Sequence, residues 1–190
     1  MILTPLTPLD AINEILSAIG EAPVDTIEDS GNVDVENAYR ILTSVNRQVQ
    51  LDGYTFNTIE SYLLSPDTFT HEIAWDSTLL RVKTTDGSIL RNRGGIVYDI
   101  TNNTDKFTNA IEVSAVVLVE FEELPEAFRD YITARSARVF ASRYLGDEAM
   151  TQQLHMEEQN ARMGVFNYEL EIEQPSMANN TDVSSMMKRS

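Results

Sequence analysis

Two segments on either side of Gly146 constrain this chain more than any other feature, because each carries a charge where its apolar stripe calls for a hydrophobe. Between Glu123 and Glu173 the first stripe reads Phe128, Ile132, Arg135, Val139 and the second Leu154, Glu158, Ala161, Val165. The three-and-four spacing keeps each set on one side of an α-helix. If the chain folds back at Gly146, residues equally far from the turn become partners. Phe128 then faces Val165, Ile132 faces Ala161, Val139 faces Leu154, and Arg135 faces Glu158. The sequence therefore predicts an internal ion pair, Arg135 with Glu158 or its neighbour Glu157, that sets the register of a helical hairpin. Removing one partner of a buried pair costs roughly 3–5 kcal/mol, because the other charge is left uncompensated.

The rest of the chain alternates between two periods. Thr7-Pro8 with Asp10 reads as an N-cap, a proline in the first turn and an acid favoured by the helix dipole, followed by Leu9, Ile12, Leu16 and Ile19 up to Gly20. A second helix is expected from about Asp34, with Val35, Ala38, Leu42, Val45 and Val49 on one face and Gly53 as its stop. From Tyr54 to Phe121 the period becomes two. Strands are expected around Phe56 to Leu64, Leu79 to Thr84, Ser88 to Arg91, Ile96 to Ile100 and Ile111 to Phe121, with Asp86-Gly87 and Gly94-Gly95 as turns. The last is the most apolar and is expected inside the sheet. Leu124-Pro125-Glu126 opens a third helix, and Asp147-Glu148 places carboxylates at the start of a fourth.

The expected fold class is thus α+β: a four-helix-type bundle with an antiparallel β-sheet domain inserted between helices 2 and 3. Residues 1–53 form the first part of the bundle, 54–123 the inserted β domain, 124–173 the second part as a helical hairpin, and 174–190 a flexible tail lacking any apolar stripe.

Charge and composition narrow the function classes. A hydrophobic content of 42% supports a real core, and 30 acids against 14 bases give a formal charge of -16, which argues against general affinity for phosphate backbones. The absence of cysteine excludes disulfides, thiolate metal sites and a thiol nucleophile. MILTPLTPLD lacks the features of a secretory signal, and the longest apolar run, Ala115 to Val119, is far short of the roughly 20 residues that span a bilayer. Synthesis in the cytoplasm and no membrane partner are expected.

Few residues suggest chemistry. His71 and His155 lie in no metal-ligand or nucleophile-base spacing, and no catalytic, cofactor or metal residue is expected. Glu122-Glu123 and Glu157-Glu158 supply the one enzymatic alternative, a polysaccharide hydrolase using paired carboxylates held roughly 5–9 Å apart. Neighbouring residues on a helix point in different directions, which favours solvated edges instead. Arg129, Arg135, Arg138 and Arg143 form the main basic concentration, but interleaved acids largely cancel its field, so ion pairs are the stronger reading. Arg129, Arg138 and Arg143, with Tyr131, Phe140 and Tyr144 on faces the hairpin seam leaves free, are candidates for a subunit interface. Arg91 and Arg93 beside Gly94 and Gly95 make a basic hairpin tip that could dock on an acidic neighbour or simply keep a turn in solution.

Several runs in order, LSAIGEAPVDTIE, DVENAYRILTSVNRQVQLDGYTFN, NRGGIVYD, FEELPEAFRDYITARSARVFASRYLG and EEQNARMGVFNYELE, resemble the tail tubular protein A family of short-tailed phages. The likeness extends from about Ala11 to Glu173. It implies a head-to-tail adaptor located in the virion tail, twelve copies forming a ring between the portal and the tubular nozzle, with a tail fibre as a further neighbour. DNA would pass through the lumen without specific binding, and a negative lumen suits that passage. A heterologous ring buries two different patches per subunit.

Overall fold

The computed structural model describes residues 5–28 and 31–173; the tail expected at 174–190 lies outside them. It is an α+β protein with helices α1 (Pro8–Ser17), α2 (Val33–Gln50), α3 (Glu126–Tyr144) and α4 (Glu148–Glu173), and strands β1 (Thr58–Leu64), β2 (Leu79–Thr84), β3 (Leu90–Arg93), β4 (Ile96–Asp99) and β5 (Ile111–Val117). Contacts divide it into a helical unit, the chain up to Asn46 and from Phe121 onward, and a strand-bearing unit, Arg47–Glu120.

In the helical unit, α1 starts where its capping residues dictate. The Asp10 amide donates to Thr7 Oγ1 at 3.2 Å and the Thr7 amide donates to Asp10 Oδ2 at 3.1 Å, closing a reciprocal cap. Ala11, Ile12, Ile15 and Leu16 are buried. In α2, Val35, Ala38, Ile41, Leu42, Val45 and Val49 are buried at three-and-four spacing. Helix α3 packs against both α1 and α4, which explains its burial nearly all round: Phe128, Tyr131, Ile132, Thr133, Ser136, Ala137, Phe140 and Ala141 are all covered. Gly146 turns the chain with φ of 68°, a conformation that costs glycine little. Asp147 Oδ1 then accepts from the amides of Ala149 and Met150 at 2.8 and 3.0 Å, capping α4.

In the strand-bearing unit, β5 lies between β1 and β2, antiparallel to each, and β3 pairs with β4 as a separate hairpin. The apolar β5 therefore occupies the middle position, as its composition predicts. Its alternate residues Val113 and Ala115 join Leu64, Ile73, Leu79, Leu90, Val97 and Phe107 in one core. Three strands differ from the sequence expectation by two residues or more, each for a local reason, and β4 ends one residue early at Asp99. Strand β1 begins two residues late because Asn57 closes a turn, with the Tyr54 amide donating to Asn57 Oδ1 at 2.8 Å. Strand β3 is displaced to Leu90–Arg93 because Asp86 Oδ1 accepts from the Ser88 amide and hydroxyl, holding Ser88 in the turn. Strand β5 stops at Val117, since the backbone of Val119 pairs with the side chain of Gln50 and Phe121–Glu123 coils into a 3-10 turn.

Candidate functional site

The chemistry of the helical unit concentrates on Glu158, whose side chain is only 8% exposed although it is ionisable. Arg138 Nε donates to its Oε2, Arg135 Nε lies 4.0 Å from its Oε1, and His155 Nδ1 lies 3.8 Å from its Oε2. Two guanidiniums thus converge on one buried carboxylate, which compensates the cost of removing it from water. Glu157, one residue earlier, is exposed and accepts from Gln153 Nε2 at 3.2 Å.

The direct contact goes to Arg138, one turn farther toward Gly146 than Arg135. Phe128 and Tyr168 meet edge to face at 5.8 Å between ring centroids, with the same offset relative to the turn. Side-chain direction explains the offset. Side chains tilt toward the N-terminus of their helix, so those of α3 lean away from the turn and those of α4 lean toward it. Counting residues equally from Gly146 ignores this lean.

The remaining candidate residues separate into internal and outward groups. Arg129 donates through Nε to the Leu124 carbonyl at 2.8 Å, through Nη1 to the Leu6 carbonyl at 3.0 Å and through Nη2 to the Glu122 carbonyl. It ties the segment before α1 to the start of α3. Tyr131 and Phe140 are buried within the chain, whereas Arg143 is exposed and Tyr144 is half exposed, its ring tilted against Phe140 at 4.7 Å. Glu122 and Glu123 are exposed on the 3-10 turn. In the strand-bearing unit Arg91 and Arg93 project from β3, and the turn Gly94-Gly95 has φ of 66° and 86°. The Arg93 guanidinium carbon sits 4.6 Å from the Tyr98 ring centroid.

One cluster escapes the sequence reading. Gln50 and Asn57 are fully buried amides in the strand-bearing unit. Gln50 Nε2 donates to the Val119 carbonyl at 2.8 Å while its Oε1 accepts from the Val119 amide at 2.8 Å. Asn57 Nδ2 donates to the carbonyls of Gln50 and Val117, each at 3.0 Å. The available signal was an amide immediately after Val49, at the buried end of a helix and just before its glycine stop.

Among the described residues, no group of three or more His, Cys, Asp or Glu side chains could hold a metal ion, and no helix is long and apolar enough to cross a membrane. The recurring feature of the helical unit is charge used to fix packing. Residues 9–175 match the family model described as tail tubular protein. The chain belongs to the tail tubular protein family. It is also similar to tail tubular protein A of Klebsiella phage KP34, at 29% identity over 118 residues. That stretch covers 62% of this chain and 62% of the phage protein. Tail tubular proteins are structural components of the phage tail.

Proposed function

We propose that this tail tubular protein is a head-to-tail adaptor: copies assemble into a ring of twelve between portal and tail nozzle, retain packaged DNA and conduct it at ejection. The observation that carries the reading is the family match over residues 9–175. The net charge of -16 supports passage of DNA without capture, since few phosphate contacts can form on so acidic a chain. The bundle, formed by the helices on either side of the strand region, is the body of the ring subunit, and the β3–β4 tip with Arg91 and Arg93 faces an acidic neighbour. The chain is made in the host cytoplasm and joins the virion through the portal vertex.

The experiment combines the purified chain with its portal and counts subunits by native mass spectrometry and electron microscopy. A closed ring on the portal is expected. A chain that stays monomeric beside an intact portal would remove the adaptor role.

A further inference from the structure

Arg40 and Arg47 are the first bases of the chain, and every other charged side chain among residues 1–60 is acidic. Both stand on α2, on the side opposite its buried row of Val35, Ala38, Leu42, Val45 and Val49. Seven residues are close to two helical turns, so the two side chains share a face about 10.5 Å apart along the axis. Both are exposed, and among the described residues neither has an ion pair or a hydrogen bond. The acid on that row, Glu36, precedes Arg40 by one turn, while Thr43 and Ser44 between the arginines are uncharged.

Elsewhere on the chain three exposed carboxylates gather from three helices: Glu14 of α1, Asp130 of α3 and Glu157 of α4. The charges of Asp130 and Glu157 both act on the Glu14 carboxyl, and that of Glu126 acts on Asp130. Among the described residues none of the three has an ion-pair partner, and Glu157 accepts only a neutral amide, from Gln153. Arg129, next to Asp130 in sequence, spends its donors on the carbonyls of Leu124, Leu6 and Glu122.

We infer that, in the ring proposed above and resting on that reading, Arg40 and Arg47 of one copy meet Glu14, Asp130 and Glu157 of the next. Charge complementarity selects the occupant, because each patch holds charge that its own chain leaves unanswered and the other patch carries the opposite sign. Spacing agrees. Two guanidiniums about 10.5 Å apart reach carboxylates borne on packed helices, whose axes run roughly 8–10 Å apart. Arginine also suits the task, since its planar fork donates two parallel hydrogen bonds to one carboxylate. A cation placed among three acids offsets the repulsion they exert on one another in the free subunit. The two patches differ and lie on different helices, so the contact repeats head to tail, as closure of a ring requires. A DNA duplex is the competing polyanion. Two arginines with Glu36 beside them neutralise few phosphates, and a chain charge of -16 opposes the approach of DNA, which favours a protein carboxylate.

Charge reversal tests the pairing. Ring formation on purified portal is followed by native mass spectrometry for wild type, Arg40→Glu with Arg47→Glu, Glu14→Arg with Glu157→Arg, and a chain carrying all four changes. The positions are exposed, and circular dichroism melts check that each variant is folded; the milder glutamine pairs at the same positions replace any that is not. Each reversed pair should raise the concentration needed for a closed ring at least tenfold. The fully reversed chain should return to within about threefold of wild type, because both sides of every contact then change sign. Reversed pairs that assemble at the wild-type concentration, or a fully reversed chain no better than either pair, overturn this contact and leave the ring intact. Duplex binding that Arg40→Glu with Arg47→Glu abolishes, with assembly unchanged, also overturns it and assigns the face to DNA. Failure of wild type to form any ring overturns both contact and ring.

Discussion

Gln50 and Val119 exchange two hydrogen bonds of 2.8 Å across 69 residues of chain, with the glutamine amide standing where a neighbouring strand's peptide group would be. A side-chain amide can do this because it offers one donor and one acceptor in the geometry of a peptide. The pair joins the segment that enters the strand-bearing unit to the segment that leaves it. Replacing Gln50 with Leu keeps the volume but strands both polar groups of Val119. Each buried group left unsatisfied costs about 1–3 kcal/mol, so Q50L should lower the free energy of unfolding in urea by about 2–4 kcal/mol. An unchanged midpoint would show that water replaces the amide.

Glu158 offers a graded test of the hairpin seam. Glu158→Ala leaves two guanidiniums facing an apolar gap. Both arginine side chains are more than a quarter exposed, at 29% and 28%, so the loss should fall near about 2–3 kcal/mol, at or below the bottom of the range for fully buried pairs. Double-mutant cycles should give a larger coupling of Glu158 to Arg138 than to Arg135. Equal couplings would mean that the two arginines exchange places on the carboxylate.

Acidity sets a pH dependence. Loss of hydration, followed by the nearby charges of Asp130 and Glu157, raises the Glu14 carboxyl above the ordinary glutamate value of 4.5. The folded state therefore binds this proton more tightly than the unfolded chain. Its contribution to stability is full below about 4.5, declines as pH rises through the raised value, and is constant above it. Glu14→Gln should stabilise the protein by about 0.5 kcal/mol at pH 7, the scale of a like-charge contact on a helix surface. The advantage should vanish near pH 4. An advantage that persists in acid would assign the effect to packing.

Gly53 ends α2 at a crowded corner. Its φ is +81°, and an added Cβ would stand 2.7 Å from Arg81 Nη2 and 2.9 Å from Val116 Cγ2. Arg81 donates to the Asp52 carbonyl at 3.0 Å, so its guanidinium has little freedom to withdraw. Gly53→Ala should cost about 2–3 kcal/mol, combining backbone strain with displaced neighbours. Gly20→Ala, at a φ of +82° with nothing within 4 Å, should lose only the backbone part, about 1 kcal/mol. Thermal melts of both variants check the difference.

Thr133 is the reverse case. It is 1% exposed, and its Oγ1 is the one buried side-chain polar atom without a hydrogen-bond partner among the described residues. Thr133→Val replaces the hydroxyl by a methyl of similar size and should stabilise the chain by about 1 kcal/mol. A loss of stability on calorimetry would mean that the hydroxyl has a partner after all, such as a bound water.

The kind of each element and the starts of the helices were already written in the residues, because those properties act over a few positions. Thr7 and Asp10 cap α1, Gly146 reverses the chain, Asp147 starts α4, and the change of period after Tyr54 separates strands from helices. Family membership was legible too, since it depends on the order of residues. It took the packed chain to settle which of two arginines one turn apart would make the closer contact with Glu158, that Arg129 would bind carbonyls as distant as Leu6, and that Gln50 would stand in for a strand beside Val119. Such choices turn on side-chain lean and on which ends of the chain come to lie within about 3 Å of one another. A local pattern carries neither quantity.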